Sequence, residues 1–362
     1  MNEYFLDYVD SCSKAAMADS FNKKYLIDEP LSYRTMGGAI VTKYGIDNGG
    51  SNKAISQYLS GNYIYLGEWL SIWGHCITDN LKKLWAIERV KENNPGKEYK
   101  LCAAKITNAE YCSNFKELIA KLGINFDEIL FVEQPTKFEC LIIPDDSMIL
   151  KDDSRYYYKE FAEITNSIRD TIQIRTNLPE KIYFSRTKIK KNHRDYGEKV
   201  IEDTFRKLGY TIFYPELLDF DTQLMLLRNC KYFACTEGSI SHNVIFCEDG
   251  VNLIIIRKVC GLIRYQFILN EIRKVKAIYI DSFVTPYFMG DFWCGPFLLC
   301  RRENLVNFAK EQSGLVLKPR LSKRAFIKYI NSLVIKSLRR RKMPNKSNNF
   351  KFYKQLMLKN II

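Results

Sequence analysis

The sequence has no apolar run of the roughly 18 residues that a membrane-spanning helix needs. Only 18 Gly and 10 Pro are present, too few for a collagen-like chain or a Pro/Gly-rich disordered one. Its 11 cysteines include no C-x-x-C pair and no Cys/His cluster at zinc spacing. Buried free thiols are therefore expected rather than structural zinc. Met1 to Ser20 lacks a basic start and an apolar centre, and carries Glu3, Asp7, Asp10 and Asp19. No secretory signal is expected there, and the cytosol is the expected compartment. Acidic residues are missing altogether after Glu311.

What is present is ordinary in bulk: 46% hydrophobic, 27% charged and 14% aromatic residues. That is the composition of a soluble globular chain, and 362 residues suit two α/β lobes. The net charge of +14 is concentrated in one place. Lys318 to Lys359 holds 14 of the 55 Lys and Arg, which leaves 41 basic residues against 41 acidic ones elsewhere. The pattern is a neutral body with a basic C-terminal extension. A nucleic-acid binder would spread basic residues over its folded face, so no nucleic-acid partner is expected.

Period-2 and Gly/Asn-bounded runs predict strands at 36–46, 62–66, 101–104, 128–132 and 140–143. Apolar spacing through Leu70, Trp73, Ile77, Leu81 and Leu84 predicts one helix over 69–90. A second helix is expected at 113–122, and a third, free of Gly and Pro, at 154–175. Beyond it, strands at 181–184, 210–214, 231–235 and 251–256 alternate with helices at 197–208, 221–229 and 241–247. That alternation is the pattern of a doubly wound parallel sheet. The expected organisation is an N-terminal α/β lobe (1–153), a helical connector (154–178), a second, nucleotide-binding type of lobe (179–317) and a basic tail (318–362).

Four segments can carry chemistry. In Gly74-His75-Cys76-Ile77-Thr78-Asp79, His75 and Asp79 stand four apart on a predicted helix, so the carboxylate can orient the imidazole or itself become a base. An exposed helix-stabilising pair would look the same. Ser185 to Arg194 holds five basic side chains and no acid, directly after a strand. Arg186, Lys188 and Arg194 there suit a diphosphate. In Glu237-Gly238-Ser239-Ile240-Ser241-His242-Asn243, Gly238 admits close backbone approach, and the following helix start offers N–H groups to an anion. His242 serves either as a ligand to a phosphate or sugar oxygen or as a structural histidine. Glu216, after a strand end, is placed to accept from a ribose diol or to be plain surface acid.

Taken in order, these segments resemble glycosyltransferase family 61. Gly74-His75-Cys76-Ile77-Thr78-Asp79 followed by Leu81-Lys82-Lys83-Leu84-Trp85 is similar to its G-H-F-x-x-D and L-x-R-L-W elements. Tyr183-Phe184-Ser185-Arg186, Arg194, Gly197-Glu198 and the run from Pro215-Glu216 to Gln223 resemble its later motifs. The family's H-G-A-G-L-x-N loop corresponds to 237–243, with Glu237 in place of the leading His and a His at 242.

The resemblance implies two facing Rossmann-like lobes of the glycosyltransferase B type, a nucleotide-sugar donor in the C-terminal lobe, and inversion without an essential metal. No cofactor is expected beyond the donor itself, expected to be UDP-linked, and no D-x-D motif lies in a plausible loop. Without a metal, the leaving diphosphate needs Arg186, Lys188, Arg194 and the loop bearing Gly238, Ser239, Ser241, His242 and Asn243. Inversion needs one base. Asp79 is the candidate, with His75 orienting it or acting as the base itself.

In the tail, Phe326, Ile330, Leu333, Val334 and Leu338 form an apolar stripe ending in Arg339-Arg340-Arg341-Lys342. Such a helix suits an anionic membrane surface, which places the protein on the inner face of the cell membrane beside a glycan or lipid-linked acceptor. The expected activity is sugar transfer in surface polysaccharide synthesis. A phosphoryl or sugar-phosphate transferase, and an RNA-binding protein using the tail aromatics, are the alternatives.

Overall fold

The computed structural model describes residues 3–5, 26–47, 54–151, 154–175, 177–189, 194–259, 263–284, 295–300, 303–316 and 321–339. The described chain is a mixed α/β structure built on two large sheets. The first has seven strands. Gln57–Trp69, Lys100–Lys105, Leu130–Val132 and Thr136–Pro144 run parallel, while Tyr33–Gly37 and Ile40–Thr42 pair antiparallel with Thr136–Pro144 and Gly45–Ile46 closes the edge. The second has six strands, all parallel, in the order Glu3–Phe5, Lys276–Asp281, Asn252–Arg257, Tyr232–Thr236, Lys181–Phe184, Thr211–Phe213. The opening strand Glu3–Phe5 thus extends this second sheet rather than the one formed by the residues that follow it.

Alternation along the strands explains the layers. In Gln57–Trp69, Ile64 and Leu66 face one way while Tyr63 and Tyr65 face the other. In the parallel sheet Ile182, Phe184, Phe233, Cys235, Leu253 and Ile255 share one face, and Tyr183, Ala234, Ile254 and Ile256 the opposite one. A side-chain period of two requires this of strands covered on both faces. The first-named face of each sheet contributes to a single buried cluster, so one apolar layer runs through both. Trp73 against Phe220, with ring centroids 5.8 Å apart, lies in that shared layer.

Three helical expectations change. The helix expected over 69–90 is broken into Trp73–Ile77 and Ala86–Asn93. The break has visible causes. The Lys82 carbonyl accepts from the Ser147 N–H and hydroxyl at 2.8 and 2.7 Å, and Asn80 binds both the N–H and the carbonyl of Leu70. These tertiary hydrogen bonds compete with the helical ladder. The helix expected at 154–175 starts as a strand, Ser154–Tyr158, paired antiparallel with Met148–Lys151, and becomes helical only over Lys159–Asp170. The segment expected as a helix at 241–247 is a six-residue 3-10 helix, Ser241–Phe246.

The tail helix, Lys323–Arg339, lies on a small three-stranded sheet made by Asp195–Tyr196, Phe297–Leu299 and Phe283–Val284. Phe326, Tyr329 and Leu333 are buried there, so much of the expected stripe serves the body. Val334 from that stripe is instead exposed, together with Ile327 and Ile335. Arg340 to Lys342 and the tail aromatics lie outside the described residues. No described helix is long and apolar enough to cross a membrane.

Candidate active site

The order of the parallel sheet places the site. Lys181–Phe184 lies between Thr211–Phe213 and Tyr232–Thr236, so the strand order reverses there. Loops leaving the C-terminal ends of the strands flanking such a reversal diverge and leave a crevice. At this point a cavity of about 690 Å³ opens. Arg186, Ile189, Arg194, Asp195, Glu237, Gly238, Ser239, His242 and Lys258 from the parallel-sheet side line it. Ile72, Gly74, His75 and Thr78 from the mixed-sheet side complete the wall, with Tyr265 and Phe297.

On the mixed-sheet side, His75 sits in the short helix and Asp79 just past its end. The pairing expected from a continuous helix survives the break: His75 Nδ1 and Asp79 Oδ2 are 2.6 Å apart. Thr78 donates to the same oxygen at 3.0 Å, and the Tyr265 hydroxyl donates to Asp79 Oδ1 at 2.7 Å. Lys82 Nζ stands 3.9 Å from that oxygen and is also bonded to Asp146. Burial pushes the Asp79 carboxyl up, but the hydrogen bonds from His75 and Tyr265 and the charge of Lys82 outweigh it and hold the group below its usual range. A carboxylate so engaged is a poor proton acceptor and a good orienter. With Nδ1 turned to Asp79, the His75 ring keeps Nε2 for another partner, and His75, not Asp79, lines the cavity. In this geometry Asp79 holds the His75 ring and His75 faces the cavity.

Tyr265 was not singled out from sequence. It is the second residue of the helix Arg264–Ile272, 186 positions from Asp79, and no local motif announces it. Burial and the Asp79 charge push its hydroxyl well up, so it remains a donor.

On the parallel-sheet side, Arg186 Nε is 3.0 Å from Asp195 Oδ2, and the Arg186 N–H donates to Glu198. Glu198 is fully buried and pushed up to about 8 by burial and by the Asp195 charge. Gly197 before it has φ +89°, and a Cβ there would strike the Leu299 carbonyl, which accounts for the Gly-Glu pair. Arg194 is solvent-exposed at the cavity rim. Lys188 is also exposed, with Nζ 5.5 Å from the Tyr214 ring centre. Neither it nor Glu216 lines the cavity.

Gly238 and Ser239 line the cavity, and Gly238 takes φ +124°, open to glycine. The anion site expected at the following helix start is weakened, because that element is a short 3-10 helix and the Ser241 N–H already donates to the Gly238 carbonyl at 2.9 Å. The Ser241 hydroxyl binds the same carbonyl, and Asn243 accepts from the Trp73 indole at 2.9 Å. The Ser241 bond braces the loop itself and the Asn243 bond ties the loop to the His75 helix; neither residue lines the cavity. His242 is buried, and neither ring nitrogen has a hydrogen-bond partner among the described residues. Burial and the neighbouring His75 charge hold it down to about 4, so it is neutral over the working range. A Cβ on Gly74 would stand 2.7 Å from Ser239 Oγ and 3.4 Å from His242 Nδ1, so only glycine lets the two halves close here. Glu237 accepts from the Lys258 N–H at 3.2 Å, and burial pushes it up to about 6 against the pull of Arg257 and Lys258.

The D-x-D spacing does occur once, at Asp219-Phe220-Asp221. There Asp219 caps a helix by accepting from the Thr222 N–H, and Asp221 pairs with Lys121. Among the described residues, no three His, Cys, Asp or Glu side chains gather in a metal-binding arrangement.

The model of the family described as Glycosyltransferase 61 matches residues 73–254, half of the chain. The chain belongs to that family. It is a glycosyltransferase. No curated protein matches it. The matched stretch of this glycosyltransferase holds His75, Asp79, Arg186, Arg194, Asp195 and the 237–243 loop. Lys258, Tyr265 and Phe297, which line the same cavity, lie beyond it.

Proposed function

We propose that this glycosyltransferase moves a sugar from a nucleotide-sugar donor, UDP-linked, to a glycan acceptor in surface polysaccharide synthesis, with inversion and without an essential metal. The observation that carries the reading is that one cavity gathers an oriented imidazole from one sheet and Arg186, Arg194 and Lys258 from the other. In this reading the two sheets are the cores of facing glycosyltransferase B lobes, with the donor on the parallel one.

The chemistry follows from those groups. His75 Nε2 takes the proton of an acceptor hydroxyl while Asp79 steadies the imidazolium that forms. The hydroxyl oxygen attacks the anomeric carbon, and the bond to the diphosphate oxygen breaks on the opposite face. The cations then hold the negative charge that develops on the leaving diphosphate, a role that fixed charges fill well in a site sheltered from water.

Peripheral docking on an anionic membrane belongs to the same proposal. Its support is the exposed Ile327, Val334 and Ile335 on the tail helix, together with a chain end rich in Lys and Arg.

A thermal-shift panel of UDP, GDP, CMP and their sugars tests the donor. A specific ligand at a hundredfold excess over its Kd stabilises the fold by about 3 kcal/mol. One nucleotide class should raise Tm, and its sugar should release nucleoside diphosphate in the presence of acceptor. A flat panel with no release would sink the reading.

A further inference from the structure

Lys258 follows the strand Asn252–Arg257, the parallel neighbour of Tyr232–Thr236, so it leaves the sheet beside the two loops that frame the cavity. Its neighbour Arg257 is fully buried, paired with Asp281 at 2.9 Å and bonded to the Val259 carbonyl, and does not line the cavity. Lys258 does. Its ammonium is 3.1 Å from Asp195 Oδ1 and 4.8 Å from the Phe297 ring centre. A Cβ built on Gly238 would stand 3.6 Å from Nζ, so the glycine keeps bulk away from that charge. Asp195 is buried, and its other oxygen holds Arg186 at 3.0 Å.

We infer that Lys258 and Arg186, spaced by Asp195, form the diphosphate grip of the donor site, with Asp195 as its positioning residue. The inference rests on the nucleotide-sugar reading above and names the residues that serve it. Among the described residues, three cations line the cavity, Arg186, Arg194 and Lys258, against the two carboxylates Asp195 and Glu237. A diphosphate supplies negative charge where cations are in excess. Lys258 is only 8% exposed, so water screens it far less than exposed Arg194. Asp195 has a second support for its positioning role: its strand pairs with Phe297–Leu299 in the small sheet, and the tail helix packs on that sheet.

The test is titration calorimetry of the full chain with a nucleoside diphosphate and with the same nucleoside lacking phosphate. Lys258→Met keeps the stem and removes the charge. It should weaken diphosphate binding by about tenfold to a hundredfold, as loss of a charge-assisted hydrogen bond does, and leave nucleoside binding unchanged. Asp195→Asn should weaken the diphosphate selectively as well, by less. Should Lys258→Met lower the yield of folded protein, the double variant Asp195→Asn/Lys258→Met removes the buried pair together and carries the same expectation. Equal weakening of both ligands, or unchanged diphosphate affinity in a folded variant, overturns the grip while leaving the donor reading intact. A wild-type chain that binds no nucleoside diphosphate overturns both.

Discussion

The two walls of the cavity are made by different means. The parallel-sheet wall is topological: strands in register end together, and their loops deliver Arg186, Gly238 and Lys258 to one rim. The mixed-sheet wall is held by individual hydrogen bonds. Its helix spans only Trp73–Ile77, and Asp79 is placed by His75, Thr78 and Tyr265. A topological wall keeps its loops in place when a single bond is lost. A wall pinned by a few side chains moves when one of them is lost, and the proposed proton acceptor sits on that second wall.

This contrast can be broken at three points. The largest effect is expected from His75→Ala. It should lower kcat by roughly 10²–10⁴, the range of a lost general base, while donor affinity from calorimetry stays within about twofold of wild type. A matching loss of donor affinity would show that the two walls are not separable.

Next comes the pH dependence of stability from His242. The group falls from 6.5 when unfolded to about 4 when folded, because of burial and the neighbouring His75 charge, offset in part by Asp79. The unfolded chain therefore binds the extra proton between those values. Stability rises with pH across that window and the penalty disappears above 6.5. Glu237, raised on folding, slopes the other way, so the comparison is wild type against His242→Gln. The difference between the two should change by about 3 kcal/mol at most between pH 4 and 7 in denaturant melts. A pH-independent difference would contradict the buried neutral ring.

The smallest effect is expected from Tyr265→Phe, which deletes the hydrogen bond to Asp79 and keeps the ring. It should lower kcat about tenfold, roughly 1.4 kcal/mol, with nucleotide affinity unchanged. An unaltered kcat would show that His75 and Thr78 suffice to hold Asp79.

Local pattern carried much of the parallel sheet. Lys181–Phe184, Tyr232–Thr236 and Asn252–Arg257 are short apolar runs bounded by turns, and strands of this kind bury both faces and announce themselves. The loops after the first and second of these strands carry Arg186, Gly238 and Ser239 to the cavity. The His75–Asp79 pair was also legible, because four residues of helix-like chain suffice to bring its two ends together even though the helix stops at Ile77. The break itself was not. Apolar spacing through Leu81 and Leu84 reads as helix, and only Ser147, a partner 65 positions distant, takes the Lys82 carbonyl out of the ladder.

Lys188 and Glu216 show the opposite limit. Their residue types and strand-end positions suit a nucleotide, yet where a side chain points depends on its loop, and these two lie off the cavity. Sequence order and short-range spacing were enough to name the family, the parallel strands and the imidazole–carboxylate pair, because each rests on neighbours along the chain. Which side chains converge on the cavity depended on folding. Lys258 meets Asp195 across 63 positions and Tyr265 meets Asp79 across 186, contacts that exist only once the sheets close around a shared apolar layer.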